Sequence, residues 1–307
     1  MFKHLHPLTR IQWRRSLLRR VLVVCLSTIA AICFHAFPYP SSVGTSAHAA
    51  TDPQILMQQG REQYAAGQYT AALEQWQQAA QNYADQQANA NAASALSNQA
   101  LAHLQLGQYT AAQSAIEAAK DWLSTVSATD YNRRVLAQVL STEGQFFMAR
   151  GDASRALASF QQAIDIYGDL EDETGLLRAQ LNRAKIYRVQ GRIPETLRSL
   201  NTVSDQLEEL PVDSPLKATG YRQLGIALQR SGDINSAEAM LQKSLEAAEQ
   251  RGNTADISAA WLSLGNLSPP TVALDYYRKA AQTAPTVLSR LQAQVNTLNV
   301  LVDLGFL

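Results

Sequence analysis

Residues 144–160 read GQFFMARGDASRALASF, and the spacing inside this stretch recurs along the chain. Gly144 stands seven residues before Gly151, Ala156 follows five residues after it, and Phe160 comes four further on. A small residue inside a helix, a Gly-led turn, then a helix with Ala and a bulky residue one turn apart describe a tightly packed hairpin of two helices. The turns Gly67-Gln68-Tyr69, Gly107-Gln108-Tyr109, Gly151-Asp152-Ala153, Gly191-Arg192-Ile193 and Gly232-Asp233-Ile234 follow at intervals of 40, 44, 40 and 41 residues. Seven residues before each turn sits Gly60, Ala100, Gly144, Ala184 or Gly225, where a larger side chain would push packed helices apart. Five after it come Ala72, Ala112, Ala156, Thr196 and Ala237, and four later the plugs Trp76, Ile116, Phe160, Leu200 and Leu241. The spacing predicts an all-α solenoid of antiparallel helix hairpins.

A sixth unit departs from the pattern. Trp261, Leu264 and Gly265 begin it, but Ser268-Pro269-Pro270 replaces the Gly turn, and Ala273, Tyr277, Ala280 and Pro285 then restore the register. Helices are expected over 53–66, 69–85, 88–106, 109–123, 130–150, 153–168, 173–190, 194–209, 215–231, 234–251, 254–266, 270–283 and 286–304. Asp52-Pro53, Ser214-Pro215 and Ser268-Pro269 read as N-caps followed by the residue best tolerated in a first turn. The chain then runs Asn299-Val300-Leu301-Val302-Asp303-Leu304-Gly305-Phe306-Leu307, an apolar first helix that reaches its Gly turn without a second helix. About six repeats and an unpaired last helix are therefore expected over 50–307.

Small residues in both helices of a repeat, a Gly turn between them and a bulky plug resemble the tetratricopeptide repeat. The family standard is about 34 residues, so repeats of 40 or more resemble the long-repeat subclass found in cyanobacterial proteins that carry a caspase-like (CHAT) domain after the repeats. The resemblance covers roughly residues 53–305. It implies a right-handed superhelix and a concave groove, lined by the first helix of each repeat, that takes a protein or peptide partner. Carried over by register, the groove would present Met57, Arg61 and Tyr64, then Ser97, Leu101 and Leu104, then Ser141, Gln145 and Met148. Its far half would present Arg178, Lys185 and Arg188, then Arg222, Gln229 and Arg230.

Charge adds weight to that far half. Six of the 26 basic residues and none of the 26 acids fall in 1–49, which leaves 20 against 26 over the remainder, a net charge of about −6. Nucleic acid is excluded as the expected partner. Five cations on the inner face of an acidic chain, Arg178, Lys185, Arg188, Arg222 and Arg230, would draw in an acidic segment of a protein partner. The competing reading pairs these cations with neighbouring acids on a solvated face.

Catalysis is not expected. Cys25 and Cys33 are the two cysteines, so residues 50–307 hold no thiol nucleophile, and His103 is their one histidine. No paired carboxylates or metal-ligand spacing stand out, and neither cofactor nor metal is implied. Glu171-Asp172-Glu173 and Glu208-Glu209 read as charge runs at helix boundaries. His103 occupies a family position usually filled by a packing aromatic.

The first 49 residues read as a leader: a basic region to Arg20, an apolar run from Val21 to about Phe34, and Ala47-His48-Ala49 before Ala50. Export to the periplasm or exterior, with cleavage after Ala49, is the expectation. Arg14-Arg15 faintly resembles a twin-arginine signal, and the alternative to export is an uncleaved anchor through residues 21–37. Two functions follow from different classes: a non-catalytic interaction scaffold, or the regulatory repeat region of a CHAT-type protein.

Overall fold

The computed structural model describes residues 52–211 and 214–306. The leader, its proposed cut after Ala49, the anchor alternative and both cysteines lie outside the described residues. Thirteen helices follow among those described: α1 (Pro53–Ala65), α2 (Tyr69–Asp85), α3 (Asn89–Gln105), α4 (Tyr109–Ser124), α5 (Asp130–Ala149), α6 (Ala153–Asp169), α7 (Glu173–Val189), α8 (Ile193–Glu209), α9 (Pro215–Ser231), α10 (Ile234–Arg251), α11 (Thr254–Leu267), α12 (Pro270–Thr283) and α13 (Val287–Asp303). Each packs on its neighbours in sequence, as a helical-repeat solenoid must. None of them is long and apolar enough to cross a membrane.

The hairpins close as the spacing requires. Gly67, Gly107, Gly151, Gly191 and Gly232 all take left-handed backbone angles, with φ between 71° and 90°, a region that favours glycine. Trp76, Ile116, Phe160, Leu200 and Leu241 are buried, as are Ala72, Ala112, Ala156, Thr196 and Ala237. The plug of each repeat lies against its small residue: a Cβ on Gly144 would stand 2.7 Å from the Phe160 ring, and one on Gly60 would stand 2.3 Å from Trp76. The indole N–H of Trp76 donates to the Met57 carbonyl at 3.3 Å, so that plug is also pinned.

Packing between repeats uses a second set of glycines. A Cβ on Gly175 would lie 2.5 Å from Tyr167, and one on Gly220 would lie 2.4 Å from Leu207, each from the preceding repeat. The turns between repeats are not glycine-led throughout, since Gln87 and Glu171 hold left-handed φ of 58° and 51°. Ser268 corrects one reading. It ends α11, its hydroxyl donating to the Leu264 carbonyl at 2.8 Å, while Pro269 occupies the N-cap of α12 with no side-chain hydrogen bond and Pro270 takes the first turn. A serine followed by two prolines cannot serve the second helix as cap, because the cap position has moved one residue on.

Curvature follows from which helices meet across repeats. The first helices touch, α3 with α5, α5 with α7, α7 with α9 and α9 with α11, whereas second helices make no comparable contact. Odd-numbered helices therefore line the inside. The first turn and the last helix also meet: a Cβ on Gly67 would come within 3.1 Å of Thr286 Cγ2.

Candidate functional site

The inner face divides by chemistry. In the second and third repeats its polar groups bond to one another across α3 and α5. Ser94 Oγ donates to Gln138 Oε1 at 3.1 Å, and Gln138 Nε2 donates to Asn98 Oδ1 at 3.2 Å. Deeper, the hydroxyls of Ser97 and Thr142 share a hydrogen bond of 2.8 Å, both buried. Ser97 and Met57, expected in the groove, are instead core residues. Ser97 meets Thr142 of the next first helix, α5, and Met57 packs in the cluster that holds Ala72 and Trp76.

The fourth and fifth repeats offer no such ladder. Lys185 and Arg188 lie one turn apart on α7, and Arg222 and Arg230 lie two turns apart on α9, which packs against α7. Burial is the main influence on Lys185 and lowers its pKa, and Arg188 and Arg222 push in the same direction. Arg188 is likewise lowered by burial, with Arg230 and Arg222 adding to it. The four cations thus form one mutually repelling group. Among the described residues all nine ion pairs belong to other cations, and none of these four has a carboxylate within pairing distance. Arg188 Nε is buried without a hydrogen-bond partner. One neighbouring acid does act here, since Asp256 opposes the lowering that burial imposes on the pKa of Arg222.

Two details refine the expected set. Arg178 stands apart from the other four, exposed near the Tyr167 phenol, whose pKa is pushed up to about 12 by burial and held back by that guanidinium. Gln229 is occupied, its amide donating to the Asn266 carbonyl at 2.9 Å and bridging α9 to α11. Sequence reasoning missed Asp256 on α11, the acid nearest in effect to Arg222. Burial raises its pKa, Arg222 and Arg251 oppose that, and Arg251 Nη1 holds it at 3.3 Å. An acid in the first turn of the next first helix was the available signal, three residues after the Asn253 cap.

A cleft of about 330 Å³ beside Phe146 and Phe147 is lined by Glu143 and Arg155. Glu143 accepts from Lys120 Nζ and from Ser159 Oγ, each at 2.9 Å, while Arg155 pairs with Asp152 and covers the Phe147 ring at 4.4 Å. His103 Nδ1 lies 2.6 Å from Gln108 Oε1 at the end of α3. No group of three or more His, Cys, Asp or Glu that could hold a metal comes together among the described residues.

Hairpins of this register, stacked with their first helices inward, define a tetratricopeptide-type solenoid. A family described as Tetratricopeptide repeat matches residues 175–250, which hold most of α7 through α10. Solved structures share the fold at low identity. BtubC (BKLC) from P. vanneervenii is 18% identical, covers 76% of this chain and 91% of its own, and superposes with a TM-score of 0.53. Aspartyl phosphate phosphatase F from Bacillus subtilis is 13% identical over 81% of this chain and 69% of its own, with a TM-score of 0.59. A signal transduction ATPase with a tetratricopeptide repeat sensor, from Pyrococcus horikoshii, is 13% identical over 82% of this chain and 39% of its own, also at 0.59. No curated protein matches the sequence.

Proposed function

We propose that this protein is a non-catalytic scaffold, exported from the cytoplasm, that captures an acidic segment of a partner protein on the inner face of its fourth and fifth repeats. The observation that carries the proposal is the group Lys185, Arg188 and Arg222, partly desolvated and in no ion pair, with the exposed Arg230 beside them. Clustered cations without counter-charges weaken a fold, and a carboxylate-rich ligand supplies both the missing charge and the missing hydrogen-bond acceptors. Each contact with a charged group is worth about 1.5–3 kcal/mol. Arg178 lies at the edge of this site rather than within it.

The test is titration of a labelled Asp/Glu-rich peptide, against its Asn/Gln counterpart, into the parent chain and into Arg188→Glu/Arg222→Glu. The parent is expected to bind only the acidic peptide, more weakly as salt rises, and the double variant to lose that binding with its helical content intact. Equal affinity for both peptides, or for both proteins, would sink the proposal. Export is tested separately by mass spectrometry of protein from its native cell, where an N-terminus at Ala50 is expected and an intact Met1 on a membrane-bound chain would favour the anchor. Repeats of 40–44 residues also favour a second reading, a regulatory region ahead of a CHAT-type domain, which the reading frame beyond the Leu307 codon decides.

A further inference from the structure

One of the five hairpin turns is covered. Around Gly107, Gly151, Gly191 and Gly232 a Cβ would meet nothing within 4 Å, and all four glycines are exposed at the edge of the solenoid. Gly67 is half-buried, and a Cβ there would stand 3.1 Å from Thr286 Cγ2. Thr286 is the N-cap of α13, so the first repeat touches the helix that follows the sixth.

The cap aims the methyl group. Thr286 Oγ1 accepts from the Ser289 backbone N–H at 3.1 Å, and Ser289 Oγ accepts from the Thr286 backbone N–H at 3.2 Å, a reciprocal capping box. With its hydroxyl committed to its own helix, this β-branched side chain is fixed about χ1 and leaves Cγ2 toward Gly67. Gly67 allows the approach because it holds a φ of 75° and brings no side chain of its own.

The two points of contact come from opposite edges of the stack. Gly67 follows the C-terminus of one first helix, α1, whereas Thr286 precedes the N-terminus of another, α13. Alternate helices of an up-and-down stack run parallel, so these two ends meet where the stack has turned through a full circle and climbed by one helix length, about 20 Å for the 13 residues of α1. The odd-numbered helices then surround their own inner face, on which the half-buried Lys185, Arg188 and Arg222 lie.

We infer that the Gly67 turn and Thr286 form a clasp that closes one superhelical turn into a ring, and that this clasp gates the inner face to a partner's segment. The gating rests on the proposed capture of an acidic segment, whereas the clasp does not. Each repeat packs on its neighbours alone, so small rotations at successive interfaces add up and part the ends without breaking a hairpin. A methyl group against a glycine is a small contact, and the clasp opens and recloses readily. Closed, the ring admits an extended segment only end first; open, it admits one from the side.

The test uses the full chain with Cys25→Ser/Cys33→Ser and a thiol pair, Gln68→Cys/Pro285→Cys, at exposed positions beside the contact. A short, reducible thiol-reactive linker is expected to join the pair within one chain. Gly67→Asn is the wedge, because asparagine tolerates a left-handed turn but its side chain takes the space of the Thr286 methyl group. Gly107→Asn makes the same change where nothing lies within 4 Å. Cross-linking should fall several-fold with Gly67→Asn and stay at the parent level with Gly107→Asn. The locked chain should capture a free Asp/Glu-rich peptide yet lose one flanked at both ends by folded domains, and reduction of the linker should restore that capture. A pair that does not cross-link, equal yields in the two asparagine variants, or equal capture of the flanked peptide by locked and reduced chains would each overturn the inference. If neither form binds either peptide, the acidic-segment reading fails and the cross-link yields alone decide the clasp.

Discussion

The second and third repeats satisfy their inner face from within, and the fourth and fifth do not. On α3 and α5, Ser94, Asn98 and Gln138 bond to one another, and Ser97 meets Thr142 below them. On α7 and α9, Lys185, Arg188 and Arg222 are half-buried cations that form no ion pair, one with a buried nitrogen that has no partner. The hairpin frame is the same in both halves, so the difference lies in the side chains it carries. One half resembles a finished core, and the other leaves a buried guanidinium nitrogen of Arg188 without a hydrogen-bond partner.

The largest expected effect tests whether the frame is shared. Gly144→Leu in one half and Gly225→Leu in the other should each cost about 1–3 kcal/mol, because overpacking forces the plug out of its rotamer. A Cβ alone would already lie 2.7 Å from Phe160 or 2.8 Å from Leu241. Urea unfolding of the single variants measures this, and tolerance at either position would show that the halves are not built on one frame.

Next in size is the buried hydroxyl pair. Ser97→Ala strands Thr142 in the core and should cost about 1–2 kcal/mol, whereas Ser97→Ala/Thr142→Val should recover much of the loss. A double variant less stable than the single would mean that packing, not the hydrogen bond, sets the cost.

The far half predicts the opposite sign. Arg188→Met removes a partly buried, unpaired charge from a repelling group and should raise stability by about 0.5–1.5 kcal/mol while weakening capture of the acidic peptide. Added salt should stabilise the parent more than this variant, since it screens a repulsion the variant has lost. Loss of stability in Arg188→Met would make that side chain a structural member of the face.

Much of this was legible beforehand because the repeat frame is local. The turn glycines, the small residues and the plugs each sit within one hairpin, and all thirteen helices fall within one residue of their expected ends. What lies between hairpins was harder to read. Gly175 against Tyr167 and Gly220 against Leu207 depend on how one repeat rotates onto the next, and no periodicity in the chain encodes that angle. The same rotation buries Met57 and Ser97 and parts Arg178 from its four neighbours. Glu171 and Gln87 carry the left-handed turn without glycine, so composition alone did not mark them. The cations of the site were legible as residues. Their lack of partners was not, because it depends on Asp256 being held by Arg251.

The smallest effect is the most specific to the site. Lys185 has its pKa lowered in the folded chain, by burial first and by Arg188 and Arg222 after it. Below that lowered value the lysine is charged in both folded and unfolded chains, and keeping it charged inside costs stability. As pH rises through it the folded chain gives up the proton first, so the unfolded chain binds more protons and stability climbs until about pH 10.4, the value of free lysine. Affinity for an acidic peptide must fall across the same window, because the departing proton is the charge the peptide recognises. Stability and binding should therefore move in opposite directions between the lowered pKa and about pH 10.4 in the parent, and this coupled change should be lost in Lys185→Met. Urea midpoints and peptide affinities measured on both proteins at matched pH decide it. If the two quantities fall together, Lys185 is held by a counter-charge and the far half is not the unpaired surface that sets it apart from the near one.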